Sequence, residues 1–336
     1  MKNVSVLIPE GDISLVNVEG LHHIFAEANK AMKRTGQEPL FYFQLVGKKR
    51  NNYLKDFFSI YPNFLTTDNM KTDILIIPAL HGDLSRALEM NLDLVPWIVE
   101  QRSRGAEVIS LCTGAFLLAA TGLLDGKSCA THWIHANDFR NMFPAVKLVE
   151  DQIMTDENGI YTSGAAYSYL NLILYFLHKY IDREIVLFLA KIFAIDMGRV
   201  DQCQFIIFHG YKSHGDVQIL KAQEYIEKNF DQRITVPQLA DYISLGRRNL
   251  ERRFKDATTH SVTEYIRRVK VEAAKKKLET STQIINDVIY DVGYSDLKSF
   301  RNIFKKIVGM SPLEYRNKYN HSVSRLERQT ILQPYI

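Results

Sequence analysis

The sequence holds only three cysteines, Cys112, Cys129 and Cys203, with no Cys-x-x-Cys pair and no Cys/His spacing suited to a metal. A scattered, odd set excludes a disulfide scaffold and gives no sign of structural zinc. No secretory leader is expected: the first nine residues are too short in apolar length and read as a strand. Long apolar runs are lacking too. The most membrane-like stretch, residues 160–178, has no Asp, Glu, Lys or Arg, yet Thr162, Asn171, serines and tyrosines interrupt it. A buried helix is expected there rather than a membrane span. No charge sign dominates, with 42 Lys and Arg against 38 Asp and Glu.

What is present describes a globular protein. Hydrophobic residues make up 46% and charged residues 24% of 336, which excludes disordered and collagen-like chains, and the length predicts two domains, three at most. We expect a cytoplasmic protein without cofactor or metal. The net charge of +4 hides an uneven split. Residues 216–322 carry 20 Lys/Arg and 14 Asp/Glu, a net of +6; the remainder has 22 and 24, a net of −2.

The first two hundred residues alternate β-rich runs with helical patterns. Strands are expected at 4–8, 41–46, 74–77 and 108–111, and helices at 20–34 and 92–104. Runs such as Ile74-Leu75-Ile76-Ile77 lack polar alternation, as expected where helices cover both faces of a parallel sheet. From about Val200 the texture becomes wholly helical. The expected division is a domain at 1–200, a linker at 201–218, a helical domain at 219–321 and a loose tail at 322–336.

The helical part contains a loose duplication. Thr235 can cap a helix with Leu239, Ala240 and Ile243 on its inner face, and Ser244-Leu245-Gly246 supplies a turn. A second helix buries Leu250 and Phe254, leaving Arg247, Arg248, Glu251, Arg252 and Lys255 outside. The second copy has Val288 and Val292 inside, a turn at Gly293-Tyr294 and a cap at Asp296. Its second helix carries Phe300, Ile303 and Phe304 inward, with Lys298, Arg301, Lys305 and Lys306 outside. Between the copies, residues 262–278 form a longer helix with Ile266, Val269, Ala273 and Leu278 inward and a basic exterior. Two short helices joined by a tight turn, the second with a basic face, fit a reader of the DNA major groove.

Residues Ala273-Ala274-Lys275-Lys276-Lys277-Leu278, Asp291-Val292-Gly293-Tyr294, Phe300, Phe304, Gly309-Met310-Ser311-Pro312 and Tyr315-Arg316 resemble the signature of AraC-family transcriptional regulators. The resemblance implies an all-α tandem helix-turn-helix domain that reads two successive major grooves of double-stranded DNA. Carried over by position, it implies base contacts from Arg248, Glu251 and Arg252, and from Leu297, Lys298 and Arg301. Asn302 stands where the family usually has an arginine.

In the first half, Cys112 sits where a β-rich run meets a helix, followed by the small residues Gly114 and Ala115, in the manner of a nucleophile elbow. A helix N-terminus there would favour the thiolate, which makes reactivity plausible, but a small buried cysteine that packs well at a tight turn is the favoured reading. This segment, with Ala130-Thr131-His132-Trp133 and Tyr161-Thr162-Ser163-Gly164, is similar to the PfpI/ThiJ-like domains of the class I glutamine amidotransferase-like superfamily. The combination with an AraC-type module resembles the GlxA-type regulators, which implies an α/β, flavodoxin-like parallel sandwich. Departures from the family pattern argue against catalysis. Thr113 follows the cysteine where the proteases have histidine, and Asn17 stands nearest the family's acid. Glu19 and His132 are the remaining pocket candidates. Adjacent His22 and His23 diverge on a helix and cannot chelate together. The expected role is sensing a small molecule or dimerisation, the latter through the apolar stretch 169–193. A cysteine hydrolase and a thiol redox sensor are the alternatives.

Overall fold

The computed structural model describes residues 1–54 and 58–320; the loose tail expected at 322–336 lies outside the described residues. The chain divides into two units, Met1–Gln202 and Cys203–Ile336.

In the first unit, β1 (Lys2–Ile8) leads to α1 (Leu15–Arg34) and then to β2 (Phe41–Gly47), parallel to β1. Ser14 caps α1 and the basic Lys33 and Arg34 close it, matching the helix dipole. An antiparallel pair, β3 (Asn52–Leu54) and β4 (Phe58–Ile60), precedes β5 (Phe64–Leu65) and β6 (Ile74–Ile77). Helices α2 (Leu84–Glu89) and α3 (Val95–Ser103) lead to β7 (Glu107–Leu111), and α4 (Ala115–Ala119) follows. Next, α5 (Ala136–Met142) lies between β8 (Ser128–Cys129) and β9 (Lys147–Leu148), which pair in parallel. The unit ends with β10 (Met154–Asp156), β11 (Ile160–Ser163), α6 (Tyr169–Leu177) and α7 (Arg183–Ile192). The stretch 160–178, expected as one buried helix, is thus a strand followed by a helix. The four residues of β11 are all buried, so its strand has no polar face to betray its period.

The main sheet runs β10-β11-β7-β6-β1-β2-β5, parallel throughout except at β10. Counting its five central strands along the chain gives the order 2-1-3-4-5, the flavodoxin-like arrangement. Ile74-Leu75-Ile76-Ile77 is wholly buried, because helices cover both faces. Helix α7 packs on α1 and α6, while α4 packs on β6 and β7 beside α2. Strand order reverses between β1 and β6, which opens a crevice at the carboxyl ends of these strands.

The second unit is entirely helical among the described residues: α8 (Val217–Lys228), α9 (Val236–Tyr242), α10 (Arg247–Thr258), α11 (Val262–Thr280), α12 (Ile285–Asp291), α13 (Leu297–Val308) and α14 (Pro312–Tyr319). It has two separate hydrophobic cores, one around Leu239, Leu250 and Phe254 and one around Val288, Phe300 and Phe304. The segment 201–218, expected as a linker, largely folds onto this unit. Lys275 Nζ donates to Ile206 O at 2.6 Å, and Phe208 meets Tyr265 edge-on at 5.1 Å. Gly210 is required there, since a Cβ would lie 2.0 Å from the Tyr265 hydroxyl.

Candidate functional site

The crevice of the first unit is a cleft of about 260 Å³, lined by Ser14, Asn17, Leu80, His81, Cys112, Thr113, His132, His135 and Ala166, among others. Cys112 adopts a left-handed backbone, φ 55°, at the end of β7. The turn is tight enough to demand glycine two residues on: a Cβ at Gly114 would lie 2.6 Å from Pro78 O and 2.7 Å from Ile77 O. Ser163 Oγ accepts from Cys112 N at 3.3 Å, and Thr131 Oγ1 donates to Cys112 O at 2.9 Å. These bonds fix the elbow without touching the sulfur.

The thiol does not behave as the elbow suggests. Burial pushes its pKa up to about 11, against a smaller opposing effect of hydrogen bonding from Thr113. The expected helix N-terminus is weak, because the chain first makes a 3-10 turn, Cys112–Gly114, and α4 itself has five residues. Desolvation outweighs so short a dipole.

Sequence reasoning named four pocket candidates, and the structure brings Cys112, Asn17 and His132 to this cleft. Glu19 is absent from its lining; its side chain is 75% exposed, 3.9 Å from His23. Asn17 is buried in the first turn of α1, and its Oδ1 accepts from Ala79 N at 3.1 Å, pinning the end of β6. His132 accepts from Ile134 N through Nδ1 at 3.2 Å, and burial, then neighbouring His135, lowers its pKa. Burial also lowers that of His135, opposed by Asp138. His81 and His135 were not anticipated. His81 lies four residues past β6, and nearness to a strand's carboxyl end was the available signal. Among the described residues no group of three or more His, Cys, Asp or Glu could hold a metal ion. His22 and His23 turn to different rings, Phe43 and Phe193.

In the second unit, Thr235 and Gln238 form a reciprocal capping box that starts α9. The turn before α10 differs from expectation. Gly246 has an ordinary φ of −64° as the N-cap, while Ser244 takes the left-handed conformation at φ 54°. Helix α10 buries Leu250 and Phe254 and exposes Arg247, Arg248, Glu251, Arg252 and Lys255. Arg247 Nε donates to Glu251 at 3.0 Å, and Arg252 donates to Asp256 and Asn249 at 3.3 Å each. Arg253 turns the other way and grips Asp216, the cap of α8, at 2.9 and 2.6 Å.

Asp296 caps α13 by accepting from Lys298 N and Ser299 N. Phe300 and Phe304 are buried; Lys298, Arg301, Asn302, Lys305 and Lys306 are exposed, and Leu297 is half-buried. Arg301 donates to Asn286 at 2.8 Å. The basic exterior expected for α11 needs correction: Lys270 and Lys275 are buried, and Val269 and Ala273 are only half-buried. Both lysine heads bond backbone carbonyls brought in from other elements.

Residues 46–179 match the DJ-1/PfpI family, and residues 239–318 match the helix-turn-helix domain family. The HTH-type transcriptional regulator GbdR of Pseudomonas aeruginosa is 23% identical over 287 residues, 85% of this chain and 77% of its own. The xylose operon regulatory protein of Escherichia coli is 34% identical over 107 residues, 32% of this chain and 27% of its own. A solved structure of a candidate transcriptional regulator from Vibrio parahaemolyticus has the first unit's fold, with a TM-score of 0.51 and 24% identity over 57% of this chain and 98% of its own. The chain belongs to the AraC-type helix-turn-helix transcriptional regulators and carries a DJ-1/PfpI domain ahead of its DNA-binding module.

Proposed function

We propose that the regulator reads specific DNA sequences with α10 and α13, acts in the cytoplasm, and uses its DJ-1/PfpI domain to bind a small effector without turning it over. The outward polar faces of α10 and α13 carry the DNA part. Exposed arginines at the start of a helix can pair bidentately with guanine edges, while lysines hold phosphates. The assigned base readers are Arg248, Glu251 and Arg252 on α10 and Leu297, Lys298 and Arg301 on α13, with Asn302, Arg247, Lys255, Lys305 and Lys306 flanking them.

The non-catalytic reading rests on the cleft. A cysteine nucleophile needs a base within reach and an orienting acid. Here the thiol is protonated at neutral pH, Thr113 Oγ1 is bound to Leu80 O at 2.6 Å, and Asn17 is bound to Ala79 N. A crevice at the reversal of strand order remains a place for a small ligand. The second copy proposed as partner would cover Tyr175, Leu187, Phe188 and Ile192, which are exposed on α6 and α7.

Selection of bound duplexes from random DNA tests this reading. The expected result is a pair of short conserved blocks about one helical turn apart, repeated once if two copies bind together. Recovery of no common sequence would overturn it.

A further inference from the structure

The two cores of the helical unit are distinct, yet two reading helices that share one operator must keep a set distance and angle. Helix α11 threads both cores, with Tyr265 and Ile266 in the first and Val271, Ala274 and Leu278 in the second. Lys270 lies at the crossing and is 5% exposed. Its Nζ donates to Phe230 O at 2.5 Å, Gln232 O at 3.0 Å and Val292 O at 2.8 Å. The first two carbonyls belong to the loop between α8 and α9, which enters the first helix-turn-helix; the third ends α12 in the second. An ammonium has three N–H donors, and all three are used.

The surroundings are shaped to this head group. The Tyr294 ring centroid lies 5.4 Å from Nζ. Gly293 is left without a side chain: a Cβ there, at φ 73°, would lie 2.2 Å from Asp231 O and 2.7 Å from Lys270 Nζ. Burial lowers the Lys270 pKa, and Asp231 opposes that from its own loop. A charge held by carbonyl dipoles is an expensive way to fill a core, since an apolar side chain of similar length avoids the desolvation. What the ammonium adds is direction, because it binds three chain segments at fixed angles.

We infer that Lys270 is a positioning residue for DNA recognition, tying the two helix-turn-helix units so that α10 and α13 meet their base pairs at one spacing. The inference rests on the DNA-reading role proposed for those helices. With the joint fixed, engagement of the first helix delivers the second at high effective concentration, and only in the right register.

The test uses the full chain and duplexes it has selected from random DNA, each remade with one base pair inserted between the two contacted blocks. One base pair shifts the blocks by about 3.4 Å and a tenth of a turn. The wild type should lose about tenfold in affinity or more on insertion. Lys270→Met should bind the parent duplex about tenfold more weakly yet lose only about twofold on insertion. Its affinity for duplexes with one block scrambled should match the wild type. Lys270→Gln, which keeps two N–H donors, should fall between. An unchanged spacing penalty in Lys270→Met overturns the inference. So does unfolding of both variants in circular dichroism, which would make the ammonium part of the fold itself. Failure of the wild type to select any sequence strikes instead at the reading of α10 and α13.

Discussion

The cleft of the first unit and the outward faces of α10 and α13 in the second treat their polar side chains in opposite ways. Around the cleft of the α/β unit, Asn17, Thr113 and Thr131 are buried and bonded to backbone groups of neighbouring loops. On α10 and α13 of the helical unit, Arg248, Arg252, Lys298 and Lys305 stand in solvent, and the backbone needs nothing from them. A site that has turned its polar groups to holding its own frame keeps its shape but loses chemical freedom. A face that leaves them outside offers them to a partner. The cores differ in the same sense. One continuous cluster runs through the α/β unit, whereas the helical unit is divided into two small ones joined by α11.

That division gives the largest expected effect. Phe304 is fully buried in the second small core, against Phe300 and Tyr315. Phe304→Ala should cost about 3–5 kcal/mol through lost burial and the cavity left behind. Calorimetry should then show the helical unit melting earlier while the α/β transition stays in place. One transition that shifts as a whole would break the comparison, since it would make the two units a single cooperative body.

Next in size is the contrast between an elbow shaped like a nucleophile's and a thiol whose burial raises its pKa. With a pKa near 11, Cys112 should alkylate with iodoacetamide about a hundredfold more slowly at pH 7 than free cysteine, following the loss of thiolate. Cys203, half-exposed in the other unit, should react first. The sign for stability follows from the same shift. Between pH 9 and 11 the unfolded cysteine releases its proton and the folded one keeps it, so stability falls as pH rises through that window. A fast Cys112 rate with its midpoint near neutral pH would revive the hydrolase or the redox sensor.

Local signals carried much of this. Thr235 with Gln238, Asp296 and Gly293 announce caps and a turn through residues within a few positions of one another, and each is where its chemistry points. The apolar run Ile74-Leu75-Ile76-Ile77 announces a buried parallel strand for the same reason. Long-range bonding was not legible. Lys270 and Lys275 look like one more basic face, because carbonyls 22 to 69 residues away along the chain leave no mark in the sequence near them. Cys112 is legible in part: spacing shows the turn and a small residue that packs there, but the degree of desolvation is set by the whole packed layer around it. In the turn between α9 and α10 the positive φ falls on Ser244 and not on the glycine two residues later, which serves as the N-cap of α10.

The smallest effect bears most directly on the outward-facing half of the comparison. Arg252 is exposed, and its guanidinium is oriented by Asp256 and Asn249 without being buried by either. Such a side chain is held ready, and exchanging two long, exposed contacts for a guanine edge costs little. Arg252→Ala should therefore weaken binding by about 1–3 kcal/mol and relax preference at one base pair. Lys305→Ala, on the last turn of α13, should weaken all duplexes alike and lower the salt dependence by about one counterion. The two variants separate reading from holding, and equal, sequence-blind losses from both would leave α10 gripping phosphate alone.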